Sequence, residues 1–168
     1  MPCRIRGSAA VLLLVLVAAR PALAGKPLPG FQVLTLQGEA RSSAQLAPHE
    51  QWLLLYVHPD CPSCPRLLET LEGWRLGEAR GRVVLVVGAE LSIADAYVRK
   101  AMPATPAEAE RRTWYADPGG EAAKALHAEK VPILLGVRRG QIEWEISGVL
   151  NGPAALERVV RAWLGVLQ

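Results

Sequence analysis

Cysteine and blocks of like charge are both scarce in this chain of 168 residues. Three cysteines are too few for the disulfide-rich scaffold of a small secreted domain. No run of five or six like charges occurs, so the chain lacks the charged tails that bind nucleic acid. A hydrophobic content of 51% excludes an intrinsically disordered chain. The length and the absence of repeats or long linkers indicate one domain.

The motifs of several enzyme classes are also missing. No Ser-His-Asp, HExxH, GxxxxGK(S/T) or GxGxxG pattern is present. At the level of motifs, this excludes a hydrolase of the triad type, a zinc protease and a nucleotide-binding protein.

The N-terminal segment has the order of a secretory signal peptide. Arg4 and Arg6 come first, an apolar run over 9–19 follows, and the small-residue triplet Ala22-Leu23-Ala24 ends the segment. The apolar run has 11 residues, whereas a membrane-spanning helix needs about 20. We therefore expect cleavage after Ala24, and membrane attachment only if the leader is retained.

The leader also accounts for the basic character of the chain. Residues 1–24 contain three of the 19 basic residues and none of the 16 acidic ones, so 25–168 carries 16 of each sign. The net charge of +3 is thus a property of the signal peptide, and no nucleic-acid partner is expected. We expect 25–168 to work in the periplasm or another extracytoplasmic space, where thiols oxidise unless they are kept reduced.

Hydrophobic patterning predicts strands that alternate with helices. Apolar runs over 52–57 and 82–87 are typical of buried central strands. Helical spacing of apolar residues and start signals predict helices over 61–76, 92–101, from 105, 121–128 and 153–166. Turn residues predict hairpins over 31–43 and 131–147. The expected fold is α/β with three layers: a central mixed β-sheet flanked by helices, with an N-terminal β-hairpin extension.

Two cysteines remain once Cys3 has left with the leader, and they lie at the predicted junction between a strand and a helix. The positive end of the helix dipole and the free N–H groups there stabilise a thiolate. We predict Cys61, as the N-cap residue, to be the exposed attacking thiol, and Cys64 to be the resolving thiol. Pro62 is expected at the first helical position, and Pro65 is expected to remove the donor of an early helical hydrogen bond.

Two other interpretations of the cysteine pair stay open, a purely structural disulfide and a metal site. Structural zinc sites usually need four ligands, and no second cysteine pair exists. His58 forms a His-x-x-Cys-x-x-Cys row with Cys61 and Cys64, which leaves a copper site as an alternative. We favour redox exchange without a metal or other cofactor, and the competing function is a copper-binding chaperone or a partner-recognition protein.

Several stretches of the chain together carry a resemblance to a known family. They are Leu28-Pro29-Gly30-Phe31, the strand and CxxC helix from Trp52 to Trp74, the turn Asp117-Pro118-Gly119-Gly120, and Val131-Pro132-Ile133-Leu134-Leu135. In these features the chain resembles the exported, TlpA-like branch of the thioredoxin-fold superfamily. The resemblance implies a protein-disulfide oxidoreductase that exchanges disulfides with client proteins and with a redox partner. It also implies that Pro132 is cis and faces the CxxC, so that Val131 and Pro132 bind a client peptide in β-strand fashion.

The chain departs from the family pattern around the cysteines. Typical members place Trp before the first Cys, a basic residue after the second, and an acid six residues before the first. Here those positions hold Asp60, Pro65 and Leu55. One hypothesis is that His58 or Asp60 acts as the proton relay instead; the alternative is that both are solvated loop residues.

A second resemblance and one charge bear on the direction of exchange. The stretch 57–68 and the residues 148–151 look like the methylamine-utilisation maturation proteins, which are thought to help form disulfides in an exported dehydrogenase subunit. A negative Asp60 beside Cys61 disfavours the thiolate and makes the pair more reducing, whereas the helix dipole acts in the opposite sense. We expect a reductant or a maturation factor for an exported redox protein.

Overall fold

The computed structural model describes residues 25–46, 49–103, 112–148 and 153–166. The strands are β1 (Lys26–Pro27), β2 (Gln32–Thr35), β3 (Ala40–Ser42), β4 (Gln51–Val57), β5 (Val83–Val87), β6 (Trp114–Ala116), β7 (Ile133–Arg138) and β8 (Gln141–Ser147). The α-helices are α1 (Cys64–Gly73), α2 (Leu91–Ala101), α3 (Glu121–Ala125) and α4 (Pro153–Leu164), and 3-10 turns span Ser43–Gln45 and Gly77–Arg82.

The described strands form one mixed sheet in the order β1-β8-β7-β4-β5-β6-β2-β3. The pairs β4 with β5 and β5 with β6 are parallel, and the other pairs are antiparallel. β4 lies inside the sheet, paired with β7 from Gln51 to Tyr56 and with β5 from Leu53 to Val57. Because both of its edges are hydrogen-bonded, the carboxyl end of β4 is a fixed point on the sheet, and the CxxC segment follows directly.

Side chains on the two faces of the sheet fill two separate cores, as period-two alternation requires. Leu53, Leu55 and Val57 of β4 belong to the core that also contains the buried faces of α1, α2 and α4. The alternate residues of β4 join the opposite core, which Ala122 of α3 also enters. Helices therefore flank both faces, and the predicted three-layer α/β architecture is confirmed.

The predicted N-terminal hairpin is also confirmed. β2 and β3 pair antiparallel around a turn in which Gly38 has a φ of 84°. β2 then pairs with β6, so the hairpin extends the central sheet. Phe31 and Val33 are buried in the second core, which explains why this hairpin packs onto the domain.

The predicted start of α1 at Cys61 is wrong, because the helix begins at Cys64 and its N-cap is Ser63. Pro65 has no N–H and therefore cannot make the bond to the Cys61 carbonyl that an earlier start would require. The helix bond from Leu67 N–H to the Ser63 carbonyl measures 3.2 Å. Pro62 thus precedes the helix, and Pro65 lies in its first turn, where a proline costs little.

Other predicted boundaries also differ from the structure. The helix expected from Ser92 is capped by Glu90, and α3 ends at Ala125. The leader with its cleavage site and the helix start expected at residue 105 lie outside the described residues, so these stay predictions. Among the residues that the structure describes, no helix has the length and apolar content needed to cross a membrane.

Gly136 of β7 gives a first test of the packing. A Cβ on Gly136 would lie 2.2 Å from indole atoms of Trp144. The Trp144 ring is itself held edge-on against Trp163, with ring centroids 5.6 Å apart. We expect Gly136→Ala to lower the free energy of unfolding by about 1–3 kcal/mol, as overpacking does, measured by urea unfolding.

The matched control is Gly81→Ala, because a Cβ on Gly81 meets nothing within 4 Å. That variant should change the free energy of unfolding by less than about 0.5 kcal/mol. Equal effects of the two substitutions would contradict the role assigned to Gly136.

Candidate active site

The two cysteines of the predicted pair form a disulfide, with their Cα atoms 5.4 Å apart. Cys61 lies in the turn after β4, where its N–H donates to the His58 carbonyl at 3.0 Å, and Cys64 is the first residue of α1. The exposed fraction is 6% for Cys61 and 0% for Cys64. Cys61 is thus not the N-cap residue and is less exposed than the sequence predicted, yet it is the more accessible cysteine of the pair.

An open groove of about 510 Å³ runs past Cys61. One wall is formed by the turn that carries the first cysteine, and the other by the chain segment before β7. Its lining consists of His58, Asp60, Cys61, Pro62, Ser63, Glu129, Lys130, Val131 and Gly148. Cys64 is not in the lining, so a molecule in the groove meets only the sulfur of Cys61.

Val131 contacts the disulfide and is followed by a cis bond, as the resemblance implied, whereas Pro132 itself does not line the groove. The Val131–Pro132 peptide bond is cis, and the Val131 carbonyl oxygen lies 3.6 Å from Cys61 Sγ. The Pro132 carbonyl accepts from Gly148 N–H at 2.9 Å. Within the described residues the Val131 N–H has no hydrogen-bond partner, and Val131 lines the groove.

His58 and Asp60, the two candidates for a proton relay, pair with each other on the rim of the groove. The Asp60 N–H donates to His58 Nδ1 at 3.2 Å, and Asp60 Oδ2 lies 3.6 Å from the same nitrogen. Their side chains are 41% and 92% exposed, and neither makes a hydrogen bond to a cysteine sulfur. The structure brings both residues beside Cys61, and their role as a relay stays a prediction.

The floor beneath the disulfide is apolar. Leu55, at the position where thioredoxin carries an acid, is 1% exposed and belongs to the same core as both cysteines. A low-polarity environment disfavours negative charge on sulfur, above all on the fully buried Cys64.

Asp117 is a buried acid that the sequence reasoning treated only as a turn residue. It is 3% exposed, and its carboxylate accepts from the Tyr56 hydroxyl at 3.1 Å and from the N–H groups of Ala122 and Ala123 at 3.2 and 3.0 Å. Its own N–H donates to the Val87 carbonyl at 2.8 Å. Asp117 therefore ties α3 to β4 and β5, and so positions the segment after α3 that forms the far wall of the groove.

The absence of a side chain at Gly88 leaves room for the rings of Tyr56 and His58. A Cβ on Gly88 would lie 2.3 Å from the Tyr56 hydroxyl oxygen and 2.9 Å from His58 Cδ2. A side chain at this position would displace one or both rings. Gly88 therefore allows His58 to pack next to the site.

The described residues contain no group of three or more His, Cys, Asp or Glu side chains that could hold a metal ion. In this structure His58 pairs with Asp60, and both cysteine sulfurs are in the disulfide. The sulfurs of the His-x-x-Cys-x-x-Cys row are therefore seen here in their oxidised form, and the copper alternative stays a prediction.

No protein-family model and no curated protein matches this chain. Solved structures do match. A secreted disulfide oxidoreductase of Mycobacterium tuberculosis, described as homologous to E. coli DsbE, is 19% identical, with a TM-score of 0.59 over 79% of this chain and 95% of its own. A putative thiol:disulfide interchange protein DsbE from Chlorobium tepidum is 20% identical, with a TM-score of 0.60 over 84% and 98%.

A third match is the exposed lipoprotein thioredoxin of Streptococcus pneumoniae, which is 16% identical, with a TM-score of 0.54 over 79% of this chain and 98% of its own. These similarities extend over most of each chain. The chain therefore has the thioredoxin-like fold of these thiol:disulfide proteins, and within that fold it carries a CxxC disulfide.

The three tyrosines of the chain all have raised pKa values, mainly because they are buried. Burial raises the pKa of Tyr97 to about 12. The pKa of Tyr56 is raised further, by burial first and then by the charge and hydrogen bond of Asp117. In the unfolded chain the pKa of tyrosine is about 10. As the pH rises above that value, the unfolded chain loses protons that the folded chain keeps, so we expect the free energy of unfolding to fall.

Two Phe variants test this expectation and the Asp117 contact together. Both Tyr56→Phe and Tyr97→Phe should flatten the alkaline loss of stability. Only Tyr56→Phe should also lower the free energy of unfolding at neutral pH, by about 0.5–1.5 kcal/mol, because it removes a buried hydrogen bond. The Tyr97 hydroxyl has no hydrogen-bond partner among the described residues, which makes Tyr97→Phe the control. If the tyrosinate absorbance of the folded protein rose with a midpoint at about pH 10, the raised pKa values would be contradicted.

Proposed function

We propose that this chain is an extracytoplasmic thiol:disulfide oxidoreductase that exchanges disulfides with client proteins through Cys61 and Cys64. The observation that carries the proposal is the disulfide at the carboxyl end of the central strand, with one sulfur at an open groove and the other buried behind it. The thioredoxin-like fold supports it, because the matching structures include a disulfide oxidoreductase and a thiol:disulfide interchange protein.

The arrangement of the pair divides the reaction between the two sulfurs. In the reduced protein, the Cys61 thiolate attacks a client disulfide, one client sulfur leaves and takes up a proton, and a mixed disulfide with Cys61 forms. Cys64 then loses its proton and attacks Cys61 Sγ, the second client sulfur leaves and is protonated, and the observed Cys61–Cys64 bond forms. The client gains two electrons, which the cysteine pair loses; of the protons on the two client thiols, one is supplied by Cys64 and the other by solvent.

The groove supports binding of an extended client segment next to Cys61. The unused Val131 N–H is a donor to which the backbone of such a segment can pair, as in β-strand addition. Pro132 follows with a cis bond, and its own carbonyl is already occupied by Gly148. Backbone pairing makes few demands on client sequence, which suits exchange with more than one protein.

Two observations support a reductant or a maturation factor over an oxidant. The buried apolar surroundings of Cys64 disfavour its thiolate, and the negative Asp60 on the groove rim disfavours the thiolate of Cys61. Destabilising the reduced form makes the pair a stronger reductant. The resemblance of 57–68 to maturation proteins supports an exported redox protein as the client.

The leader supports an extracytoplasmic location for this exchange. Its basic, apolar and small-residue regions follow the order of a signal peptide, and one matching structure is a secreted protein while another is an exposed lipoprotein. In such a space the pair would oxidise spontaneously, so a reductant also needs a redox partner that returns electrons to it.

Reduction of insulin disulfides by the purified protein tests the proposal. Cys61→Ser should abolish turnover, because it removes the only sulfur of the pair that lines the groove. Cys64→Ser should also stop turnover but should accumulate a mixed disulfide with insulin, visible by mass spectrometry under non-reducing conditions. The Cys61→Ser, Cys64→Ser double variant is the control and should form no adduct at either position.

Turnover that survives Cys61→Ser would contradict the proposal. Bound metal in stoichiometric amount in the reduced protein, with no insulin reduction, would instead favour the copper-binding alternative.

Substitutions on the groove rim test the proposed roles of His58 and Asp60. If His58 relays protons, His58→Ala should lower the rate at which an alkylating agent modifies Cys61, measured across pH, and an unchanged rate profile would exclude the relay. Asp60→Asn should raise the thiolate fraction of Cys61 and shift the equilibrium with glutathione towards the reduced protein. Because Asp60 is well exposed, we expect that shift to be no more than about fivefold.

The same glutathione titration reports the direction of exchange. A reduction potential below about −250 mV for the wild-type pair is expected for a reductant, whereas a potential of about −120 mV would indicate an oxidant.

A further inference from the structure

Ser63 is the N-cap residue of α1, yet its side chain does not cap the helix. An N-cap serine normally accepts a hydrogen bond from the N–H of the second or third helical residue. Here the second helical residue is Pro65, which has no N–H. The Ser63 backbone, with φ −93° and ψ −16°, is also helical rather than extended as at most N-caps. Sequence and backbone together leave the hydroxyl free for another contact.

The Ser63 hydroxyl lies against the reactive sulfur instead. Its Oγ is 3.5 Å from Cys61 Sγ, and the other polar group in contact with that sulfur is the Val131 carbonyl at 3.6 Å. A carbonyl oxygen can only accept a hydrogen bond, so it offers nothing to a negatively charged sulfur, whereas a hydroxyl can donate to one. Among the described side chains, Ser63 is therefore the one placed to donate to a Cys61 thiolate.

We propose that Ser63 is a positioning residue whose hydroxyl donates a hydrogen bond to Cys61 after reduction of the disulfide and so stabilises the Cys61 thiolate. The inference rests on the exchange function proposed above for Cys61. When two electrons break the S–S bond, Cys64 takes up a proton and Cys61 keeps its negative charge. The Ser63 proton stays on Oγ, so no proton is transferred within this pair.

Ser63 and Asp60 have opposite effects on the Cys61 thiolate: the hydrogen bond from Ser63 stabilises it, and the negative charge of Asp60 disfavours it. By stabilising the thiolate, Ser63 increases the fraction of Cys61 that can attack a client, and it makes the pair less reducing. Hydrogen bonds between a neutral donor and a charged acceptor are stronger than neutral ones. The Ser63 hydroxyl, which contacts the Cys61 sulfur, should therefore have the larger effect on Cys61, and the exposed Asp60 the smaller one.

The test is the pH dependence of Cys61 alkylation by iodoacetamide in the reduced protein, followed by peptide mass mapping. Ser63→Ala should raise the pH at which alkylation of Cys61 is half-maximal. At pH values below that midpoint, the thiolate fraction of Cys61 should fall about tenfold. Ser63→Thr keeps a hydroxyl and should stay within about twofold of the wild type. Ser92→Ala, on the exposed face of α2, is the matched control and should not change the profile.

Equilibration with glutathione gives a second readout. Ser63→Ala should shift the equilibrium towards the oxidised protein, by up to about tenfold. An unchanged alkylation profile in Ser63→Ala, or a Ser63→Thr profile that follows the alanine variant, would overturn the inference. A lower Tm with no change in the profile would also overturn it, because it would show that the hydroxyl caps the helix.

Failure of this inference can be told apart from failure of the exchange function. The alkylation profile reports the charge on one sulfur and needs no client. A protein that cannot reduce insulin but shows the Ser63→Ala shift would contradict the exchange function alone. Insulin reduction together with an unshifted profile would contradict only the role of Ser63.

Discussion

The pairing of β4 on both edges and its burial on both faces is the constraint from which the site follows. Five of its seven residues pair with β5 and six with β7, and its side chains fill both cores. Such a strand cannot shift by one residue without exchanging the contents of the two cores. The turn after Val57 therefore starts from a fixed position, and Cys61, four residues later, is held close to that position by the bond from its N–H to His58.

The opposite wall of the groove depends on contacts that are distant in sequence. Asp117 joins β6 to α3 and, through the Tyr56 hydroxyl, to β4. The chain then returns through the segment 126–132 to β7, which pairs with β4. The Val131 carbonyl thus meets the Cys61 sulfur because the Cys61 turn continues from β4, while Val131 leads into β7, the strand paired with β4. A rigid scaffold of this kind holds the Cys61 sulfur and the backbone proposed to pair with a client at a fixed separation.

The apolar pattern of the sequence was enough to predict the central strands. It did not reveal features that depend on an absent hydrogen-bond donor, as at Pro65, or on a donor far away in the sequence, as at Tyr56. The runs over 52–57 and 82–87 identified the central strands because buried strands need continuous apolar residues. The start of α1 was predicted wrongly because the strand-to-helix junction was taken as the helix start, whereas Pro65 removes the donor that this start needs. The anchoring role of Asp117 was invisible, since Tyr56, its partner in a buried hydrogen bond, lies 61 positions away. The cysteine pair was predicted from the CxxC motif, and the cis Val131–Pro132 bond was predicted from the family resemblance.

The apolar floor explains why single polar contacts matter at this site. With Leu55 beneath the disulfide in place of an acid, no described carboxylate is buried next to either sulfur. Under the proposed function, charge on Cys61 then depends on groups at the groove surface: the Val131 carbonyl, the exposed Asp60 and the Ser63 hydroxyl. Electrostatic interactions weaken with exposure to water, so we expect the partly buried contacts to outweigh the charge of Asp60. Pro65 removes one of the N–H groups that the Ser63 hydroxyl could cap, and that hydroxyl lies against the Cys61 sulfur instead. In this way the local backbone chemistry is coupled to the redox role proposed for the pair.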